Sequence, residues 1–468
     1  VLWSPRRGRG GRETYVQRLR IHPHALREAN AYYSPARKAL LFGYFPGPQV
    51  TVFTCLSHDI VAHEVTHAVL DGIHRRFDEP TNPDVLAFHE AFADLVALFE
   101  HFSLADVLAQ QIAETRGDLS AQTRLSELAR QFGQAIGRRG ALRTAIGEVD
   151  PTAYRRATEP HERGAILVAA VFDAFLTIYR TRVADLLRIA TQGTGVLPEG
   201  RLHPDLVRRL ADEAAGAASQ VLRMCIRALD YCPPVDITFG DYLRALITAD
   251  VEHDPAAESH DRVAFVEAFR RHGIVPEDVR TLSPDGLLWR PTAAAPDEND
   301  AVVLTPVRRW AVDIPSWHLT RDRRELFALI QKHSRGLHRY LTGVAERGQW
   351  ALADIDPALP FEVHSIRPST GNDALGRPDL HWIIELIQAV PAHLDPGASG
   401  EPDAVLLGGC TLVVDGRTGR VRYTIHKRLD AARRNRQLAF LRDGAAGGLA
   451  ATYFTGTADE PFALLHRA

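Results

Sequence analysis

The segment His63-Glu64-Val65-Thr66-His67 constrains this chain more than any other. It lies in a run, 57–72, whose apolar residues Ile60, Val61, Val65, Ala68 and Val69 recur at helical spacing. Asp59 near its start and Gly72 near its end mark helix boundaries. Residues four apart on a helix share a face, so both imidazoles can reach one ion. The fold must therefore carry a helix whose histidine face meets a partner that completes the site.

The next helical pattern, about 83–102, offers that partner. It is apolar at Leu86, Phe88, Ala91, Phe92, Leu95, Val96 and Phe99, and it contains HEAFAD with Glu90 and Asp94 four apart. A carboxylate set among such residues needs a partner. Zinc binds imidazole nitrogens at ~2.0–2.1 Å and keeps three protein ligands plus a water at catalytic sites. His63, His67 and Glu90 make such a set. Asp94 can accept the free N–H of a ligating imidazole and fix its tautomer. Glu64 follows the first ligand and can reach a metal-bound water without ligating, which is the place for a general base.

The 468 residues carry a net charge of -3, with 55 basic and 58 acidic side chains, so no overall field attracts nucleic acid or an anionic membrane. No run approaches the ~18 apolar residues of a membrane span. Lysines number three (Lys38, Lys332, Lys427), a bias that reads as a GC-rich bacterial genome. The cysteines Cys55, Cys225, Cys232 and Cys410 are too scattered for a disulfide scaffold, and a Cys225–Cys232 bridge stays open. Val1–Arg20 lacks the apolar stretch of a signal peptide. The sequence thus assigns no compartment: cytoplasmic if the chain is complete, secreted if a leader preceded it.

Composition and periodicity divide the chain. NAYYSPARKALLFGYF (30–45) reads as a hairpin around Ser34-Pro35. Helical patterns fill 104–136, 164–182, 203–230, 239–249 and 261–272. Residues 276–300 are rich in Pro, Asp and Ala without periodicity and read as a linker. Beyond it come a helix over 322–347, strands at 361–366, 380–390 and 410–415, a hairpin partner at 420–427 through GRTG, and a helix over 429–443. The expected class is α+β. A catalytic domain spans 1–275, with a small β lobe to about 56 and a helical lobe from about 57. A mixed α/β domain spans 301–468, with Trp310 and Trp382 in its core.

DIVAHEVTHAVLDG (59–72) followed by HEAFADL (89–95) resembles the thermolysin family of gluzincin metallopeptidases. The resemblance covers about 30–275. Asn30 and Ala31 resemble the family's edge strand, which holds substrate in extended form. DPTAYRR (150–156) and PHERGAILVAAVF (160–172) resemble the stretch around its second catalytic histidine, here His161, with Arg163 and Tyr154 as further candidates near substrate. TFGDYLRALITAD (238–250) and FVEAFRRHGI (265–274) resemble its closing helices. The family implies a two-lobed, zinc-dependent endopeptidase acting on peptides or proteins.

Some residues depart from that pattern. Little chain precedes the hairpin, and 73–88 contain Phe77 but no tyrosine. His161 sits one residue closer to its following glycine, and His89 replaces a polar residue before the glutamate. Asp59 matches a calcium ligand, yet His101 stands where an acidic ligand is expected, which argues against calcium. Two rival readings follow: an inactive, zinc-stabilised scaffold, and a metal-dependent hydrolase of a non-peptide amide.

Overall fold

The computed structural model describes residues 6–7, 13–14, 17–47, 50–120, 149–253, 260–290, 302–313, 322–348, 352, 355–372, 378–395, 397, 399–445 and 461–466. The helical pattern over 121–136 and the last ten residues of the expected linker, 291–300, lie outside these.

Two short strands, β1 (Arg6–Arg7) and β2 (Glu13–Thr14), pair antiparallel. A second sheet contains β3 (Arg20–Leu26), β4 (Ala31–Ser34), β5 (Ala39–Pro46) and β6 (Thr51–Phe53), in the order β3-β5-β4 with β6 also on β5. The hairpin expected over 30–45 is β4–β5, with Ala31 opposite Phe42 and Tyr33 opposite Leu40. β4 is an edge strand. Gly43 fixes its entry: a Cβ there would lie 2.2 Å from the Glu28 carbonyl oxygen and 2.5 Å from that of Asn30. Glycine permits this approach, and the Gly43 N–H donates to the Asn30 carbonyl at 2.8 Å.

The helices α1 (His58–Ile73), α2 (Pro83–Glu100), α3 (Ala105–Thr115), α4 (Ala153–Arg156), α5 (Pro160–Ala190), α6 (Pro204–Ala228), α7 (Phe239–His253), α8 (His260–Arg271) and α9 (Pro284–Leu287) build the helical lobe. Proline opens α2 and α5 at a position whose N–H has no intrahelical acceptor. Asn82 and Glu159 cap these two helices by accepting from Asp84 N–H and Glu162 N–H. α5 is long and apolar enough to cross a membrane by length and composition, where the sequence suggested no such run, but 78% of that window is buried inside the fold. Leu167, Val171, Phe172 and Phe175 make it the centre of the helical core. Gly164 sets its distance from α2: a Cβ would meet the Ala87 carbonyl oxygen at 2.9 Å.

After α9 come α10 (Thr305–Asp313), α11 (Arg323–Glu346), β7 (Phe361–Asn372), β8 (Pro378–Ala392), β9 (Ala404–Asp415), β10 (Val421–Lys427), α12 (Ala431–Ala445) and α13 (Pro461–Leu465). The four strands form an antiparallel sheet in the order β10-β9-β8-β7. Alternate residues of a strand face opposite sides, and here both sides are covered. Ile383, Val413 and Ile425 join the helical core, while Trp382, Ile384 and Leu412 pack with Trp310, Leu326 and Leu337. The molecule is α+β, as expected.

The described part of the expected linker, 276–290, packs on the helical lobe. Leu287 and Trp289 are buried in the helical core. The Trp289 N–H donates to Thr248 Oγ1 at 3.0 Å, and the Arg244 guanidinium lies 3.8 Å from the Trp289 ring centroid. The anchors Leu287 and Trp289 thus override the Pro- and Asp-rich composition around them. All four cysteines are free thiols.

A buried polar network joins the β7–β10 sheet to the end of α1. His74, the residue after α1, places Nδ1 2.9 Å from Glu385 Oε1 and donates through Nε2 to the Leu229 carbonyl at 2.7 Å. Arg367 donates to Glu385 at 2.9 Å and to Asp230 at 3.1 Å, and Ser365 Oγ donates to Glu385 Oε2 at 2.8 Å. Burial pushes the Glu385 carboxyl up, but Arg367 and then His74 outweigh it and hold it well below the usual carboxylate range. A group so depressed stabilises the fold above its ordinary pKa of ~4.3 and loses that contribution as pH falls below it. Removing one partner of a buried pair costs about 3–5 kcal/mol. Glu385→Ala should lower stability by that order in denaturant titrations at neutral pH. The wild type, but not this variant, should lose the corresponding stability progressively as pH falls below about 4.

Candidate metal centre

The centre is assembled from α1, α2, α5, β4 and α13. His63 and His67 project from one face of α1 and Glu90 from α2, and all three are nearly fully buried. His63, His67, Glu90 and His466 offer ligand atoms within 4.8 Å of one another. Zinc bonds of ~2.0–2.1 Å in a tetrahedron set ligand atoms about 3.3 Å apart. His63 Nε2 lies 3.4 Å from Glu90 Oε2, His67 Nε2 3.6 Å from Glu90 Oε1, and His466 Nε2 3.2 Å from Glu90 Oε2. The two α1 imidazoles face each other at 2.8 Å between Nε2 atoms.

The surroundings orient these imidazoles. His63 Nδ1 donates to Asp94 Oδ1 at 2.9 Å. His67 Nδ1 and His89 Nδ1 are 2.7 Å apart, and donation from His67 leaves its Nε2 lone pair toward the group. Glu90 Oε1 is buried without a hydrogen-bond partner among the described residues. Such an atom in such a donor set fits a cation. Burial opposes protonation of His63, but Asp94 and then Glu90 outweigh it and raise its pKa to about 10. Burial prevails at His67, which falls to about 3. At His466 burial is outweighed by Glu64 and Glu90, which raise it to about 9. Burial also works against a charged Glu90, yet His161, His466 and His67 hold its carboxyl well below the usual range. A divalent cation supplies the same positive charge and displaces protons as it binds. The group can therefore hold a metal ion.

Glu64 is equally buried beside these ligands. Its Oε2 accepts from the Tyr33 backbone N–H at 2.8 Å, and its Oε1 lies 3.2 Å from His466 Nδ1. Tyr33 OH donates to Asp71 at 2.6 Å, fastening β4 to α1. Asn30 and Ala31 are buried at the start of this strand, and Asn30 Oδ1 has no hydrogen-bond partner among the described residues. His161 faces the same group: its Nε2 is 3.0 Å from Glu90 Oε2 and its Nδ1 3.0 Å from Glu159 Oε1.

Tyr154 and Arg163 are engaged elsewhere. Tyr154 OH donates to Asp84 Oδ2 at 2.6 Å, and Arg163 donates from Nε to Asp84 Oδ1 and from NH1 to the Tyr154 and Ala157 carbonyls at 2.7 Å. The Arg163 guanidinium also lies 4.2 Å from the Tyr154 ring centroid. These bonds brace the first turn of α2. Asp59 contacts His101 Nε2, so an imidazole sits beside the carboxylate expected to reach calcium. Phe77 stacks on His74, with centroids 4.4 Å apart, inside the core.

The fourth corner was expected to be free for solvent, and it is not. His466, just past α13, fills it. Nothing in PFALLHRA announces a ligand, because its partners are more than 370 positions away. His89 was noted only as a departure from the family pattern, yet it touches His67. Comparison with protein-family models, curated proteins and solved structures finds no match.

Purified chain should carry about one divalent metal per molecule by elemental analysis, and His63→Ala should carry almost none. Asp94→Ala should retain the metal with about 10–100-fold weaker affinity in competition titrations against a chelator.

Proposed function

We propose that the protein is a zinc-dependent endopeptidase of the thermolysin-like type, held closed in the conformation described. The single observation that carries this reading is Glu64. A carboxyl buried beside the ligand group, held by a backbone N–H of the edge strand, serves proton transfer. A purely structural metal site has no use for it.

Zinc bound by His63, His67 and Glu90 would supply a Lewis acid that polarises the scissile carbonyl and lowers the pKa of water. Ala31, on the edge of β4 that no described strand pairs, aligns an extended peptide by β-augmentation. Asn30 Oδ1, unpartnered and buried beside it, offers a further acceptor. Glu64 takes a proton from the attacking water and returns it to the leaving amine. His161 reaches the same group from α5 and donates to the developing oxyanion. Tyr154 and Arg163 take no part beyond bracing α2.

A second reading has its own observation. Four protein ligands close a zinc site, which is the form of structural centres, and His466 makes four. The assay must therefore use the zinc-loaded chain in both wild-type and His466→Ala backgrounds, with denatured casein and product detection by mass spectrometry. Cleavage should vanish with chelator. Glu64→Gln should lower kcat/KM by about 10²–10⁴-fold with zinc content unchanged. If neither background cleaves while both hold zinc, the endopeptidase reading falls and the structural centre takes its place.

A further inference from the structure

We propose that His466 is a displaceable fourth ligand, and that the segment Pro461–His466 latches the centre shut until it withdraws. What the latch excludes rests on the endopeptidase reading above; whether His466 ligates does not.

The imidazole is oriented as a ligand. His466 Nδ1 donates to the Ala31 carbonyl at 2.8 Å and Nε2 lies 3.2 Å from Glu90 Oε2, so a cation that displaces the Nε2 proton finds that nitrogen already turned to the ligand group. The same ring engages both groups that a peptide substrate and its water would need. The Ala31 carbonyl is an acceptor on the edge of β4 that no described strand pairs, where a substrate N–H would bond. Glu64 Oε1, where the attacking water would give up its proton, faces His466 Nδ1 at 3.2 Å. One side chain thus fills the metal corner, the substrate edge and the approach to the base together.

The segment is seated by packing as well. Phe462 and Leu465 are buried. The Phe462 ring lies 4.6 Å from the His67 ring, 4.7 Å from the His89 ring and 5.9 Å from the Tyr33 ring, centroid to centroid. These contacts place an aromatic anchor directly behind the ligand face of α1. Among the described residues, the element that seats it is short. His63, His67 and Glu90 stand on helices of 16 and 18 residues in the main core, whereas α13 has 5 residues and packs in a small cluster against β4 and α1. Withdrawal of α13 leaves three ligands and an open corner, the arrangement of catalytic zinc.

The test uses the full chain loaded with zinc or cobalt(II), as wild type, His466→Ala, Phe462→Ala and the exposed-site control His22→Ala. Acetohydroxamate, a small chelating metal ligand, is titrated calorimetrically, and the cobalt absorption spectrum is recorded. A centre open in a tenth or less of molecules binds about tenfold or more weakly than an open one. Acetohydroxamate should therefore bind His466→Ala and Phe462→Ala at least about tenfold more tightly than wild type or His22→Ala. The cobalt bands should change in His466→Ala, and zinc should bind it more weakly. Should His466→Ala lose its circular dichroism signature of folding, Phe462→Ala decides by the hydroxamate titration. Equal hydroxamate affinity and identical cobalt bands in wild type and His466→Ala overturn the latch. Casein cleavage separates the two claims. Equal cleavage by wild type and His466→Ala with unchanged spectra leaves the peptidase and removes the latch. Spectral opening without cleavage in either leaves the ligand and removes the peptidase.

Discussion

Glu90 is 1% exposed and lies where α1, α2, α5 and α13 converge. Taking a lone carboxylate to such a place costs several kcal/mol, and only close positive charge repays it. The surrounding architecture answers that demand. α1 contributes His63 and His67, α5 contributes His161, and α13 contributes His466, each within 3.6 Å of a Glu90 oxygen. The carboxyls of Asp94 and the ring of His89 then hold the imidazoles in register. Gly164 matters for the same reason, since its missing side chain lets α5 approach α2 one turn beyond His161.

Much of this was legible in the sequence because it is local. Helical periodicity placed His63, Glu64 and His67 on one face, and the apolar setting of Glu90 and Asp94 marked them as inward-pointing. The β4–β5 hairpin and the β9–β10 hairpin through GRTG follow turn chemistry read over a few residues. What escaped was long-range. His466 carries no spacing signal because its neighbours are set by tertiary packing. Tyr154 and Arg163 have polar atoms suited to a substrate, and nothing local reveals that Asp84 claims them. The stretch 276–290 has the composition of a linker, and its two buried anchors, Leu287 and Trp289, count for more than its average.

The β7–β10 sheet is also less separate than its position in the sequence suggests. Its inner face supplies Ile383, Val413, Tyr423 and Ile425 to the core of the helical lobe. Thr411 Oγ1 donates to the Cys232 carbonyl at 2.8 Å, and Tyr423 OH to Glu252 at 2.6 Å. Glu385 and Arg367 reach the last residues of the α1 end and the turn after α6. The helix that carries both histidines is thereby held by β4 at Glu64 and Asp71 and by β8 at His74, just past its C-terminal end. The β7–β10 sheet is part of the frame that aims the centre, not an appendage carried beside it.

His466 belongs to the same polypeptide as the group it faces. A tethered ligand meets its site at an effective concentration of the order of millimolar for a short flexible linker, set by the tether and not by the amount of protein. Dilution cannot weaken such an encounter, whereas it would release an inhibitor that arrived as a second molecule. Occupancy of that position is consequently a property of the single molecule, and any outside ligand must compete against a neighbour that never diffuses away.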